Sequence, residues 1–253
     1  NDQMAALSLR HSDIQFWAQT GDWMERPYLC YEQMMYQSLL GTRLDSLPIV
    51  AIPGNHEYLK GVVKTLPEHW KTIFPNPQNG PARFLGTTYF VDFPNLRLIA
   101  IDTDGLHRMS DYTQVAFWLK KTLREAGDKF TIVMMHHPVY STAKGRQNPL
   151  MWLTFYGAMR EADVVFSGHD HNYARRTEYY KERFWKKEEP TIFIGTNASN
   201  KAYPIKNSEK LDNSFSGEPV YEYLQITHDA LHICTYKVDS GELLDEIVIS
   251  KSQ

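Results

Sequence analysis

The sequence predicts a layered α/β fold, with packed mixed β-sheets flanked by helices and a β-hairpin at the end of the chain. Three observations lead there. Short apolar runs recur, each closed by a turn residue or a histidine. Stretches with apolar residues at helical spacing lie between them. The tail from Tyr221 to Ile249 alternates in period two around a Ser240-Gly241 turn signal. Strands separated by helices are the signature of layered α/β architecture.

Taken in order, Ile14 to Ala18 reads as a strand running into Thr20-Gly21-Asp22. Tyr31 to Leu40 carries Met34, Met35, Leu39 and Leu40 at helical spacing. Pro48 to Ile52 is a buried strand closed by Pro53-Gly54. Tyr89 to Phe93 and Leu96 to Ile101 are two strands around a Pro94-Asn95 turn. Asp111 to Leu123 reads as a helix with Asp111 as N-cap and Val115, Trp118 and Leu119 on one face. Phe130 to Met135 is a buried strand ending at His136. Pro149 to Arg160 is a helix with proline in its first turn. Val164 to Phe166 and Thr191 to Gly195 are further buried strands, and Tyr179 to Glu189 is a solvated surface excursion.

Composition excludes several classes. The 27 Lys+Arg and 30 Asp+Glu leave a net charge of −3, against the strongly basic balance of a dedicated nucleic-acid binder. No apolar run approaches the roughly 18 residues of a membrane-spanning helix. Aromatic residues are plentiful enough for a packed core, which argues against disorder. Cys30 and Cys234 are too few for a disulfide scaffold and read as small core residues. Asn197-Ala198-Ser199 matches a glycosylation acceptor, a pattern common by chance. There is no internal repeat or linker, so residues 1–253 read as one domain.

The chemistry sits where the buried strands end. Asp22 follows the first strand, and Asn55 and His56 follow the second in Gly54-Asn55-His56-Glu57. His136 and His137 follow the Phe130 strand; His169 and His171 follow the Val164 strand in Gly168-His169-Asp170-His171. Ligands of open α/β sheets gather beyond the carboxyl ends of strands. Imidazole, carboxylate and amide oxygen form a mixed N/O set suited to Zn, Fe or Mn.

These motifs, in this order, resemble the calcineurin-like metallophosphoesterases. The run from Val133 through His136 to Ser141, and Gly168 to Arg175, are similar to the purple-acid-phosphatase-like branch. The resemblance implies a hydrolase of phosphate mono- or diesters with two metal ions (Fe, Zn or Mn, divalent or mixed-valence) and direct attack by metal-bound hydroxide. Asp22 would bridge the metals. Asn55, His136 and His169 would complete one site and His171 would serve the other. His56 would face the phosphate and protonate the leaving oxygen. The expected partner is a small phosphoester, with no nucleic acid and no membrane span, in an extracytoplasmic (secreted or periplasmic) setting. His137, Tyr58 and Arg146 are candidates for hydrogen-bonding the ligands or contacting the substrate, with Asn172 and Tyr173 lining the pocket or supporting the ligands.

Two departures qualify the resemblance. The family's opening Asp-x-His motif is absent: Asp2 lacks the preceding apolar strand, and Asp13 opens the strand that carries Asp22. The first motif-bearing strand is therefore expected upstream of Asn1. Purple acid phosphatases also place a metal-ligating tyrosine three residues after the Gly-Asp aspartate, where this chain has Glu25. The competing reading is a non-catalytic member of the fold acting as a protein-interaction module; His56, a proton donor beside ligands, speaks against it.

Overall fold

The computed structural model describes residues 10–23, 25, 46–179 and 189–251. The helix expected over Tyr31 to Leu40, Cys30, and most of the Tyr179 to Glu189 excursion lie outside these residues. Twelve strands are present among the described residues: β1 (Trp17–Gln19), β2 (Ile49–Ala51), β3 (Tyr89–Asp92), β4 (Leu96–Ile101), β5 (Phe130–Met135), β6 (Val164–Ser167), β7 (Tyr173–Glu178), β8 (Thr191–Gly195), β9 (Asn213–Phe215), β10 (Val220–Ile226), β11 (Ala230–Lys237) and β12 (Leu243–Ser250). The α-helices lying wholly among the described residues are α1 (His69–Ile73), α2 (Met109–Arg124) and α3 (Pro149–Met159).

The central sheet has the order β3-β4-β5-β6-β8-β7-β9. Its middle strands β4, β5, β6 and β8 run parallel, and β3, β7 and β9 join antiparallel at the flanks. Parallel strands are covered on both faces, so they read as unbroken apolar runs; all six residues of β4 and of β5 are buried. Side chains alternate between the two covers. Ile99, Ile101, Val133 and Met135 pack with Val115, Leu119 and Leu123 of α2 and with Met151, Phe155 and Met159 of α3. Leu98, Ala100, Ile132 and Met134 face Val50, Ile52, Val220, Leu231 and Ile233 on the other side. That second layer holds the parallel pair β1-β2 and the antiparallel meander β10-β11-β12. The layers are also tied by polar contacts: Tyr173 and Arg175 of β7 both donate to Asp245 of β12, each at 2.7 Å.

Several local readings are corrected. Asp111 is not the N-cap of α2: the cap is Arg108, and Asp111 is the third helical residue, whose side chain accepts from the Arg108 and His107 N–H groups. Pairing with β2 places the first strand at Trp17–Gln19, later than the apolar run from Ile14 suggests. The C-terminal hairpin around Ser240-Gly241 is present, with β10 added as a third strand. The asparagine of the glycosylation match is buried, with Asn197 Nδ2 donating to the carbonyls of Ser199 and Lys201. Asp13 accepts from Tyr223 and takes no part in the site described below. No helix among the described residues is long and apolar enough to cross a membrane.

One core carboxyl has a testable consequence. Glu222 lies on the same face of β10 as Val220 and Leu224, which pack into the core. Its Oε2 accepts from Thr196 Oγ1 at 2.9 Å, while Oε1 is buried without a hydrogen bond. Burial outweighs that bond and pushes the carboxyl up to about 7. A raised carboxyl pKa means the folded state binds the proton more tightly, so the stabilisation is full below the unfolded value of 4.5 and fades as pH rises through about 7. The loss is on the order of 3 kcal/mol. Denaturant titrations at pH 5 and pH 8 are expected to show it in the wild type, and Glu222→Gln to remove it. Identical pH dependence of the two proteins would exclude this role.

Candidate metal centre

Two pairs of adjacent parallel strands, one pair in each layer, end at the same place. In the second layer β1 runs into Thr20-Gly21-Asp22 and β2 into Gly54-Asn55-His56. In the central sheet β5 runs into His136 and β6 into Gly168-His169. The candidate ligands thus come from two packed sheets, not from the edge of one, and meet where the layers abut.

The centre is His136, which is fully buried. Its Nδ1 lies 2.8 Å from the Thr20 carbonyl, which can only accept, so Nδ1 carries the hydrogen. The neutral ring therefore presents a lone pair at Nε2. Around Nε2 stand Asp22 Oδ2 at 3.2 Å, Asn55 Oδ1 at 3.2 Å and His169 Nδ1 at 3.1 Å. A carboxylate, an amide oxygen and two imidazole nitrogens converge with at most one proton to share. That donor set fits a metal ion.

The electrostatics agree. Burial alone would raise the Asp22 carboxyl, but His136 and the His56 N–H hold it well below the usual carboxylate range. Burial opposes charge on His136, yet Asp22 outweighs it and raises the imidazole; a cation at this point takes the proton's place. His169 is pushed down to about 2 by burial and then by the neighbouring histidines. His171 is lowered by burial and by Lys201 and Arg146. Both are therefore neutral near pH 7, as ligation requires.

The backbone is bent to reach this arrangement. Asp22, His169 and His171 have φ of 57°, 68° and 50°. Left-handed backbone costs a non-glycine residue roughly 1–3 kcal/mol and concentrates at functional sites. Gly54 allows the β1 and β2 loops to touch, since a Cβ there would lie 2.3 Å from Asp22 Oδ1. Glu57, buried at 2% exposure, clamps the same loops by accepting from the N–H of Asp22 at 2.8 Å and of Gly54 at 2.7 Å.

The remaining candidates sit around this core. His56 stands at its open side: its N–H donates to Asp22 Oδ1, its Nδ1 meets the Glu25 carbonyl at 2.5 Å, and its Nε2 is 3.9 Å from Asp22 Oδ2. His171 Nδ1 is 2.8 Å from Ser199 Oγ, which in turn donates to Asn197 Oδ1. Ser199 then accepts from Nδ1–H and leaves His171 Nε2 free to ligate. His137 offers a ring nitrogen within 4.8 Å of those of His136 and His169. Its Nδ1 faces Thr103 Oγ1 at 3.1 Å and Asp104 Oδ2 at 3.3 Å, and burial pushes it down to about 4. Arg146 donates through Nη1 to the His169 carbonyl and lies over the Tyr203 ring. Tyr58 is turned inward: it is buried and donates to Asp102 Oδ2 at 2.6 Å. Asn172 and Tyr173 are buried as well, Asn172 accepting from Thr142 Oγ1. Thr20, Glu57, Asn197, Ser199 and Asp104 were not singled out as site residues in the sequence; only Glu57, inside the Gly54-Glu57 motif, carried a signal for the site.

Candidate ligands at the strand ends of two packed sheets, held by these loops, fit the metallophosphoesterase class of fold. The chain belongs to the calcineurin-like phosphoesterase family, whose model matches residues 4–173. Among known proteins it is 27% identical over 133 residues to a glycerophosphodiester phosphodiesterase, GpdQ, of Enterobacter lignolyticus (strain SCF1), covering 49% of this chain and 45% of the relative. Among solved structures it is similar to purple acid phosphatase PPD1 from yellow lupin (Lupinus luteus) seeds, with TM-score 0.77, 17% identity and coverage of 98% of this chain and 48% of that one. It is also similar to GAP50, described as the anchor in the inner membrane complex of Plasmodium, with TM-score 0.67, 17% identity and coverage of 100% and 84%. The chain spans under half the length of the phosphodiesterase and of the lupin enzyme.

Proposed function

We propose that this chain hydrolyses phosphate mono- or diesters at a dinuclear metal centre, with direct attack by water and no phospho-enzyme. The observation that carries the reading is the convergence of Asp22, Asn55 and His169 on the lone pair of His136. In this reading Asp22, Asn55, His136 and His169 would hold one ion, and His171 would serve the other together with Asp22. Bound divalent ions supply Lewis-acid charge at the phosphoryl oxygens and acidify a water ligand. The protein holds the ligands neutral or anionic, fixes their tautomers through Thr20 and Ser199, and keeps His56 at the open side. With Nδ1 engaged by the Glu25 carbonyl, His56 Nε2 is the atom that delivers a proton to the leaving oxygen.

The test is turnover of p-nitrophenyl phosphate and of its bis ester after loading with Mn, Zn or Fe. Metal-dependent hydrolysis of at least one is expected, and the similarity to a phosphodiesterase favours the diester. A metal-loaded protein that turns over neither would support the interaction-module reading. A second expectation concerns colour. Residue 25 is glutamate where the purple enzymes have a tyrosinate, so the iron-loaded protein is expected to be colourless. A tyrosinate-to-iron band in its visible spectrum would refute this.

A further inference from the structure

A second set of metal-binding side chains stands far along the chain, on the C-terminal meander. His232 and Cys234 are two residues apart on β11 and share its outer face, since Leu231 and Ile233 point into the core. Glu246 of β12 lies directly opposite Cys234 in the antiparallel register. His232 Nε2 is 2.7 Å from Glu246 Oε1 and 3.4 Å from Cys234 Sγ. One ligand atom from each residue falls within 4.8 Å of the others.

We propose that His232, Cys234 and Glu246 form a zinc-type site separate from the phosphoesterase centre, with three protein ligands and a fourth position open to water. The donor set is the first argument. Thiolate with imidazole and carboxylate selects a borderline-soft ion over Mg or Ca, whereas none of the candidate ligands at His136 is a thiol. Geometry is the second. Zn–S of about 2.3 Å and Zn–N of about 2.0–2.1 Å place sulfur and nitrogen about 3.5 Å apart in a tetrahedron. Cys234 and His232 already stand at that separation. The Glu246 oxygen, hydrogen-bonded to His232, has to retreat by about 0.7 Å to complete the set. Its side chain is 53% exposed and free to do so.

The setting is the third argument. Both backbones are held in a ladder whose register is unbroken from Ala230 to Thr235, so little order has to be gained on binding. Cys234 is buried, with Tyr223 opposite it on β10, while His232 and Glu246 form the open side through which an ion enters. A surface His–Glu pair alone needs no thiol against the imidazole. A metal here staples β11 to β12.

The test is cobalt(II) titrated into the metal-stripped 253-residue chain. A thiolate ligand gives a near-ultraviolet sulfur-to-cobalt charge-transfer band that an N/O centre cannot give. The chain has two cysteines, Cys30 and Cys234, so the band can be assigned. It is expected in the wild type, retained in Cys30→Ser and lost in Cys234→Ser, with zinc displacing the cobalt. His232→Ala and Glu246→Gln, at partly exposed positions that leave the fold intact, are expected to weaken binding by roughly tenfold or more. Absence of the band in the wild type, its persistence in Cys234→Ser, or unchanged affinity in His232→Ala would overturn the proposal.

Discussion

Replacing His136 with alanine is expected to strip the metal from its site and reduce phosphoester hydrolysis by about a thousandfold or more. His136 is where the other candidate ligands meet, at 3.1–3.2 Å. A metal contributes several kcal/mol to stabilising charge in the transition state, and about 4 kcal/mol corresponds to a factor of about 10³. The residue is fully buried, so the alanine also leaves a void and removes the partner of the Thr20 carbonyl. His136→Gln, which refills most of that space without the imidazole, separates the two effects. Both variants are expected to lose metal by elemental analysis, while His136→Gln keeps a melting temperature near that of the wild type. Wild-type metal content together with wild-type turnover in either variant would remove His136 from the centre.

The second large effect is expected at His56. The side chain is partly exposed, and the hydrogen bond to Asp22 comes from the backbone N–H, so His56→Ala leaves that hydrogen bond in place. General acid catalysis by a positioned imidazole typically contributes about 10²–10⁴-fold. The contribution depends on the leaving group. An alkoxide needs the proton, and a nitrophenolate barely does. His56→Ala is therefore expected to lower kcat by about 10²-fold or more on an alkyl phosphoester and far less on the p-nitrophenyl ester, with metal content unchanged. Equal losses on both substrates would show that His56 does not act as the acid.

The parts of the fold legible in the sequence were those set by local chemistry. Buried runs such as Phe130–Met135 and Leu96–Ile101 are apolar on every residue because both faces of a parallel sheet are covered. Pro149 marks the first turn of its helix because the missing N–H would have been unpaired there. Asp111 misled because an acidic side chain near a helix start serves equally well as a cap or three residues inside it, reaching back to the Arg108 N–H. Strand β7 escaped because Arg175, Arg176 and Glu178 break the apolar pattern of a buried strand; Arg175 pairs with Asp245, 70 residues away.

The site divides in the same way. Asp22, Asn55, His136, His169 and His171 could be picked out because each follows a largely apolar run, and strands that end together deliver their next residues together. That much is a property of the chain's local pattern, and it settled the kinds of candidate ligand. Which nitrogen of His136 and of His171 is left free was settled by contacts the sequence does not display. The Thr20 carbonyl that orients His136 is 116 residues away, and the Ser199 hydroxyl beside His171 is 28 away. Glu57 clamps Asp22 across 35 residues. A hydrogen bond depends on a few tenths of an ångström and on direction, so these choices were made only when the two layers packed and brought the loop atoms into register. The same holds for His232, Cys234 and Glu246: the β11–β12 register that sets Glu246 opposite Cys234 is a tertiary fact, and it turns three scattered residues into one ligand set.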